Sequence, residues 1–126
     1  MASSNAPYGS ADAPANALDG ILTTRFSTDK PQAAGLYFEV NLGSAPTFNE
    51  LEMDVPNSPN DFARAYNVEV SNNGTAWATV ATCTGSGTSE IVSFPAQTAQ
   101  YVEVVLTSGA PYNFWWSIDE LNLFHS

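Results

Sequence analysis

Four large aromatic side chains fall within five positions near the C-terminus: Tyr112, Phe114, Trp115 and Trp116. Asn113 interrupts them, the loop Gly109-Ala110-Pro111 precedes them, and an alternating segment from Ile118 to Phe124 follows. Exposed apolar clusters invite association, so a soluble domain keeps one for a purpose. Some of these rings can enter a core, while the loop leaves others at the mouth of a strand. Rings at a loop rim stack on flat apolar faces such as a sugar ring, and the Asn113 amide can bond to hydroxyls. The expected chemistry is binding.

Two further segments carry directed polar groups. Between Asn16 and Thr24 a carboxylate (Asp19), a glycine (Gly20) and a hydroxyl (Thr24) lie close together, as in loops that wrap a hard cation. An ordinary Asp-Gly turn has the same spelling. Glu120, on the acidic step Asp119-Glu120, would be a distant ligand if the two ends of the chain meet. The polar loop from Pro56 to Arg64 offers Asn57, Asn60, Asp61 and Arg64, stiffened by Pro56 and Pro59. Arg64 can reach a ligand's hydroxyls or pair locally with Asp61. The stretch Ser27 to Gly35 has no periodicity and reads as a connecting loop.

Catalysis is not expected. The one histidine, His125, is next to the C-terminus, and Cys83 is a lone thiol with no basic neighbour in sequence. No nucleophile motif or metalloprotease helix occurs, and no acidic pair is evidently placed in a cleft. Net charge is −10, with three basic residues against thirteen acidic ones. That composition cannot build the basic track that nucleic acid needs, and it disfavours anionic membrane surfaces. A cationic ligand is compatible with it. Glu39, Glu50, Glu52, Asp54, Glu69 and Glu103 alternate with apolar residues and read as solvent-facing positions on strands.

The elements that must position these groups are strands. Period-two alternation runs through 37–42, 50–55, 66–70 and 101–106, with further strands near 77–83, 88–94 and 117–124. Asn72-Asn73-Gly74 supplies a turn, because Asn and Gly tolerate positive φ. No segment has a capped helical stripe. The 126 residues suffice for one domain with one core. The fold class is all-β: an antiparallel β-sandwich or jelly roll of seven or eight strands. No apolar run reaches the ~20 residues of a membrane span. Met1-Ala2-Ser3-Ser4 shows no signal-peptide pattern and reads as a start placed before a domain cut from a larger protein.

Six segments in order carry a family resemblance: Ala17-Leu18-Asp19-Gly20 through Thr24-Arg25; Tyr37 to Gly43; Ser58-Pro59-Asn60-Asp61; Val70 to Trp77; Ala99 to Val104; and Trp115 to Leu121. The chain resembles the factor V/VIII C-type (discoidin) domains from Asn16 to Phe124. Within them it is most similar to family 32 carbohydrate-binding modules appended to bacterial glycoside hydrolases. The resemblance implies a galactose-binding-like β-sandwich. It also implies a structural Ca2+ held by the side chains of Asp19, Thr24 and Glu120 and the carbonyls of Asn16, Ile21 and Asp119. The sugar site would lie on loops at one end, here the loop after Phe26, Asn60, Asp61 and Arg64, and Tyr112, Asn113, Phe114 and Trp115. Trp77 would pack over a hairpin. Phe26 stands where many relatives carry Trp, and the loop after it holds no His, the one histidine being His125, so a galactose-type specificity is not implied.

The resemblance therefore implies a non-catalytic, secreted module, monomeric and covalently linked to a catalytic domain that it targets to a polysaccharide. The expected ligand is a glucan, α-1,3- or β-1,3-linked. The alternatives are chitosan, held through acidic residues, and a protein or lipid adhesion partner.

Overall fold

A computed structural model describes residues 1–126. Ten strands account for nearly half of the chain: β1 (Ala2–Ser4), β2 (Phe26–Pro31), β3 (Tyr37–Asn41), β4 (Thr47–Asp54), β5 (Ala65–Ser71), β6 (Ala78–Thr84), β7 (Ser89–Thr98), β8 (Tyr101–Leu106), β9 (Trp115–Ile118) and β10 (Glu120–Phe124). The only helical pieces are short 3-10 turns at 10–12, 14–18 and 111–113. All strand pairings are antiparallel. One sheet has the order β1-β3-β8-β5-β6, a second β10-β4-β7, and β2 pairs with β9. The architecture is the expected antiparallel β-sandwich.

Alternation decides which residues enter the core. Phe38 and Val40 of β3, Val68 and Val70 of β5, and Val102, Val104 and Leu106 of β8 are buried and line one inner face. Phe48, Leu51 and Met53 of β4 and Val92 and Phe94 of β7 contribute from the second sheet. Phe26, Trp116 and Ile118 close one end, with Trp116 edge-on to Phe26 at 5.8 Å between centroids. Burying an aromatic of this size contributes roughly 2–3 kcal/mol through area alone.

The structure departs from the sequence reading first in strand number, ten where seven or eight were expected, with β1 at Ala2–Ser4 too short to show a period. The segment expected to be a loop after Phe26 is largely β2, whose pairing with β9 shifts register between Ser27 and Pro31. Its burial pattern is not alternating, since Phe26, Ser27 and Thr28 are all buried, so no period was visible. The single C-terminal strand is two, because the chain leaves β2 at Ile118 and joins β4 from Glu120. Asp119 lies between them, and its N–H still donates to the Asp54 carbonyl at 2.8 Å. Glu103 is not on a solvent face: it is only 8 % exposed, flanked in register by Glu39 and Glu69. Burial and these two neighbours push its carboxyl up to about 7. The Asn72-Asn73-Gly74 turn forms, but inside a longer connection from Ser71 to Ala78. There the Ser71 hydroxyl accepts the N–H groups of Asn73 and Gly74, and Gly74 takes φ 76°.

Cys83 sits on β6 opposite Tyr66, where burial pushes its thiol up, away from the reactive thiolate. Trp77 meets Tyr101 edge-on beside the 71–78 connection, in the packing role the resemblance implied.

Candidate functional site

The aromatic run is split between core and surface by local backbone geometry. Tyr112 and Asn113 both adopt left-handed φ, 56° and 57°, which non-glycine residues rarely do. The two residues turn the chain sharply, and Tyr112 is left 88 % exposed. The Phe114 N–H closes the turn on the Pro111 carbonyl at 3.2 Å, and its carbonyl accepts the Gln32 N–H at 3.0 Å. Tyr112 and Phe114 meet edge-on at 5.7 Å. From Trp115 onward strand alternation takes over: Trp115 is 39 % exposed and Trp116 is 1 % exposed. Trp116 is therefore the core ring and Trp115 the rim ring.

The Pro56–Arg64 loop faces this rim. The Arg64 guanidinium lies 3.6 Å above the Phe62 ring centroid and 5.4 Å from that of Phe114. Its Nη atoms donate to the carbonyls of Asn60 and Phe62. Partial burial lowers its pKa, yet guanidinium stays charged. The structure thus brings Asn60, Arg64, Tyr112, Phe114 and Trp115 to one end of the sandwich, with Asn113 exposed on the same turn.

Asp61 goes elsewhere. It does not pair with Arg64; its Oδ2 accepts the Ser117 hydroxyl at 2.7 Å and faces Arg25 Nη1 at 3.5 Å. Arg25 also pairs with Asp12 at 3.2 Å and donates to Ser58 at 2.9 Å. One guanidinium therefore ties the N-terminal loop, the 56–64 loop and β9 together.

Two residues that sequence reasoning missed organise the site. Gln32 is buried, and its amide donates to the carbonyls of Phe62 (2.8 Å) and Trp115 (3.1 Å) while accepting the Arg64 N–H (3.2 Å). This one side chain holds both rim loops in place, and all its partners are backbone groups. No sequence motif marks such a role. Arg25 did carry a signal, since a chain with three basic residues rarely spends one without a structural purpose.

Of the proposed cation ligands, Asp19, Thr24, the Ile21 carbonyl and Glu120 meet around one loop. The Thr24 hydroxyl donates to Asp19 Oδ2 and lies 3.2 Å from the Ile21 carbonyl. Glu120 reaches across from β10 to accept the Gly20 N–H at 3.1 and 3.2 Å through its two oxygens. Burial raises the Glu120 pKa first, opposed by the Gly20 bond, and repulsion from Asp19 raises it further. Hydrogen bonding to Thr24 lowers that of Asp19. The Asn16 side chain braces the loop through the carbonyls of Ala11 and Arg25. Oxygen donors from both ends of the chain, with two carboxylates in repulsion, fit a hard cation such as Ca2+.

The F5/8 type C domain model matches residues 1–121. The chain belongs to this family. Solved structures agree with the assignment. Chitosan-binding module 1 from a Paenibacillus sp. IK-5 chitosanase/glucanase is 31% identical, with TM-score 0.81, covering 98% of this chain and 93% of the other. Chitosan-binding module 2 of the same enzyme, solved with chitotriose, is 25% identical with TM-score 0.86, covering 98% and 95%. The family 32 module of Clostridium perfringens NanJ, solved with galactose, is 25% identical with TM-score 0.82, covering 98% and 91%. No curated protein sequence matches. The F5/8 type C chain thus shares its fold with family 32 carbohydrate-binding modules.

Proposed function

We propose that this F5/8 type C domain is a non-catalytic carbohydrate-binding module, secreted as part of a larger protein, that holds a linked catalytic domain on a polysaccharide. The observation that carries this reading is the rim: Tyr112 stands 88 % exposed on a strained turn, edge-on to Phe114, whose ring Arg64 faces. Holding a large ring in water on a left-handed backbone costs about 1–3 kcal/mol, an expense consistent with a ligand-binding role. The rings stack on sugar faces, and Arg64, Asn60 and Asn113 supply hydrogen bonds to hydroxyls. Ca2+ at Asp19, Thr24 and Glu120 pins the N-terminal loop to β10 and takes no part in recognition.

A glucan, α-1,3- or β-1,3-linked, suits a stacking rim of this kind. A specific observation favours chitosan as the second reading. The two Paenibacillus modules similar to this chain, at 25% and 31% identity, are chitosan-binding modules. With a net charge of −10, such surplus acid suits a polymer of ammonium groups. Pull-down on insoluble α-1,3-glucan, β-1,3-glucan and chitosan at low and high salt separates the readings. Salt-insensitive retention on a neutral glucan supports stacking on that polymer, and retention on chitosan alone, lost as salt rises, supports the acidic reading. Y112A and W115A should each weaken binding about tenfold or more. Unchanged binding in both would refute the rim assignment.

A further inference from the structure

A second cleft lies on the flank of the sandwich, where the N-terminal loop, the segment leading into β2 and the start of the 56–64 loop meet. It encloses about 330 Å³, and its lining is polar except for Ala11. Asp119, Arg25, Asp12, Thr23 and Ser58 contribute to it. Thr24 and Asn57 line it as well, so it adjoins the cation loop at Thr24 and Asp119, while the side chains of Asp19 and Glu120 stay outside it.

Two groups in this cleft have unused bonding capacity. Asp119 is 1 % exposed. Its Oδ2 accepts the Asn57 N–H at 2.9 Å, and no protein donor reaches its Oδ1. The buried polar atoms left without a partner are Asp29 Oδ1 and Asn67 Oδ1, so Asp119 Oδ1 opens to the cleft and is free to accept from a ligand. Arg25 spends Nε on Asp12 and Nη1 on Ser58, Asp61 and Ser117, but its Nη2 donates to no protein group. A free carboxylate acceptor and a free guanidinium donor in one small cleft match a vicinal hydroxyl pair, one hydroxyl donating and the other accepting. The volume suits one saccharide ring. Other ligand classes fit less well. Asp12 and Asp119 repel an anion, Arg25 repels a bare metal ion, and the lining offers an apolar ligand almost nothing.

We infer that this cleft is a second saccharide subsite, binding vicinal hydroxyls of one sugar residue between Asp119 and Arg25. Its ligand class rests on the carbohydrate-binding reading above. The 56–64 loop connects the two places: Ser58 lines the cleft, Arg64 faces the aromatic rim, and Asp61 between them contacts Arg25. An oligosaccharide crossing that loop engages both, and linked weak sites gain affinity through effective concentration.

The test is backbone-amide NMR titration with β-1,3-linked glucose trimers and hexamers and with chitotriose and chitohexaose. Ala11 is exposed, makes no side-chain hydrogen bond and lies outside the rim, so A11W fills the cleft; T23W, at a second lining position, guards against a folding failure of the first. In the wild type, Thr23, Ser58 and Asp119 should shift with saccharide together with Tyr112 to Trp115. A11W and T23W should abolish the cleft shifts, keep the rim shifts, and weaken a hexamer about tenfold while leaving a trimer at the rim unaffected. In a Y112A/W115A variant the cleft shifts should persist. Rim shifts without cleft shifts would overturn the subsite and leave the module reading standing. Cleft shifts that vanish in Y112A/W115A would also overturn it, since they would be transmitted from the rim. No shift anywhere would overturn both.

Discussion

Replacing Glu103 by Gln should stabilise the domain at alkaline pH and do nothing at acid pH. Glu39, Glu103 and Glu69 stand directly opposite one another on β3, β8 and β5. Adjacent strands are about 4.8 Å apart, and like charges placed directly opposite are destabilising. None of the five strands in this sheet carries Lys or Arg, so no basic side chain on them offsets the row. Burial first, and then Glu39 and Glu69, push the Glu103 carboxyl from an ordinary 4.5 to about 7. The folded state therefore keeps a proton that the unfolded chain has already released between these values. The associated stability is fully present below about pH 4.5 and is lost as pH rises through 7. At about 1.4 kcal/mol per pH unit the ceiling is about 3 kcal/mol, and relaxation and water entry reduce it to about 1–3 kcal/mol. Gln keeps the shape without the charge. Urea unfolding followed by tryptophan fluorescence, at pH 4.5 and pH 8.5, measures the difference between E103Q and wild type. The variant should match the wild type at the lower pH and exceed it by about 2 kcal/mol at the higher, near 8 °C in Tm at about 4 °C per kcal/mol. An offset that is the same at both pH values would refute the reasoning, because a packing effect has no reason to titrate.

Three other outcomes are expected. W116A removes a ring packed against Phe26 and should cost about 3–5 kcal/mol in urea unfolding, whereas W115A should leave stability nearly unchanged. G85A should destabilise by about 1–3 kcal/mol and also weaken saccharide binding in calorimetry, because overpacking displaces the loop that carries Arg64. The added Cβ would lie 1.7 Å from the Ala63 carbonyl oxygen, and the Gly85 N–H holds the Arg64 carbonyl at 2.7 Å. G87A, with nothing within 4 Å of its added Cβ, is the neutral control. Calcium at a hundred times its Kd should stabilise the wild type by about 2.7 kcal/mol in thermal unfolding, EDTA should remove the gain, and E120Q should show little of it.

The sequence determined the strands whose two faces differ. Tyr37 to Leu42, Leu51 to Val55 and Tyr66 to Val70 alternate because one face meets the core and the other does not, whereas in Tyr101 to Leu106 the alternation in sequence hides the burial of Glu103. Alternation is local and needs no partner to be read. The chemistry-bearing loops were legible for a related reason: exposed aromatics, Asp-Gly and proline-stiffened polar runs serve poorly as core. The tertiary structure alone decided everything that depends on what lies opposite. β2 is buried through Phe26, Ser27 and Thr28 in succession, so it has no period to find. Asp61 looks like a partner for Arg64 three positions away, but is claimed by Arg25 and Ser117 from distant segments. The difference between Trp115 and Trp116 is set by which side of β9 faces Phe26, and Gln32 gains its role only where three backbone segments meet. Periodicity records the environment a strand presents along its own length; pairing between segments far apart in the chain leaves no such trace, because backbone groups and common polar side chains make those contacts without a distinctive spelling.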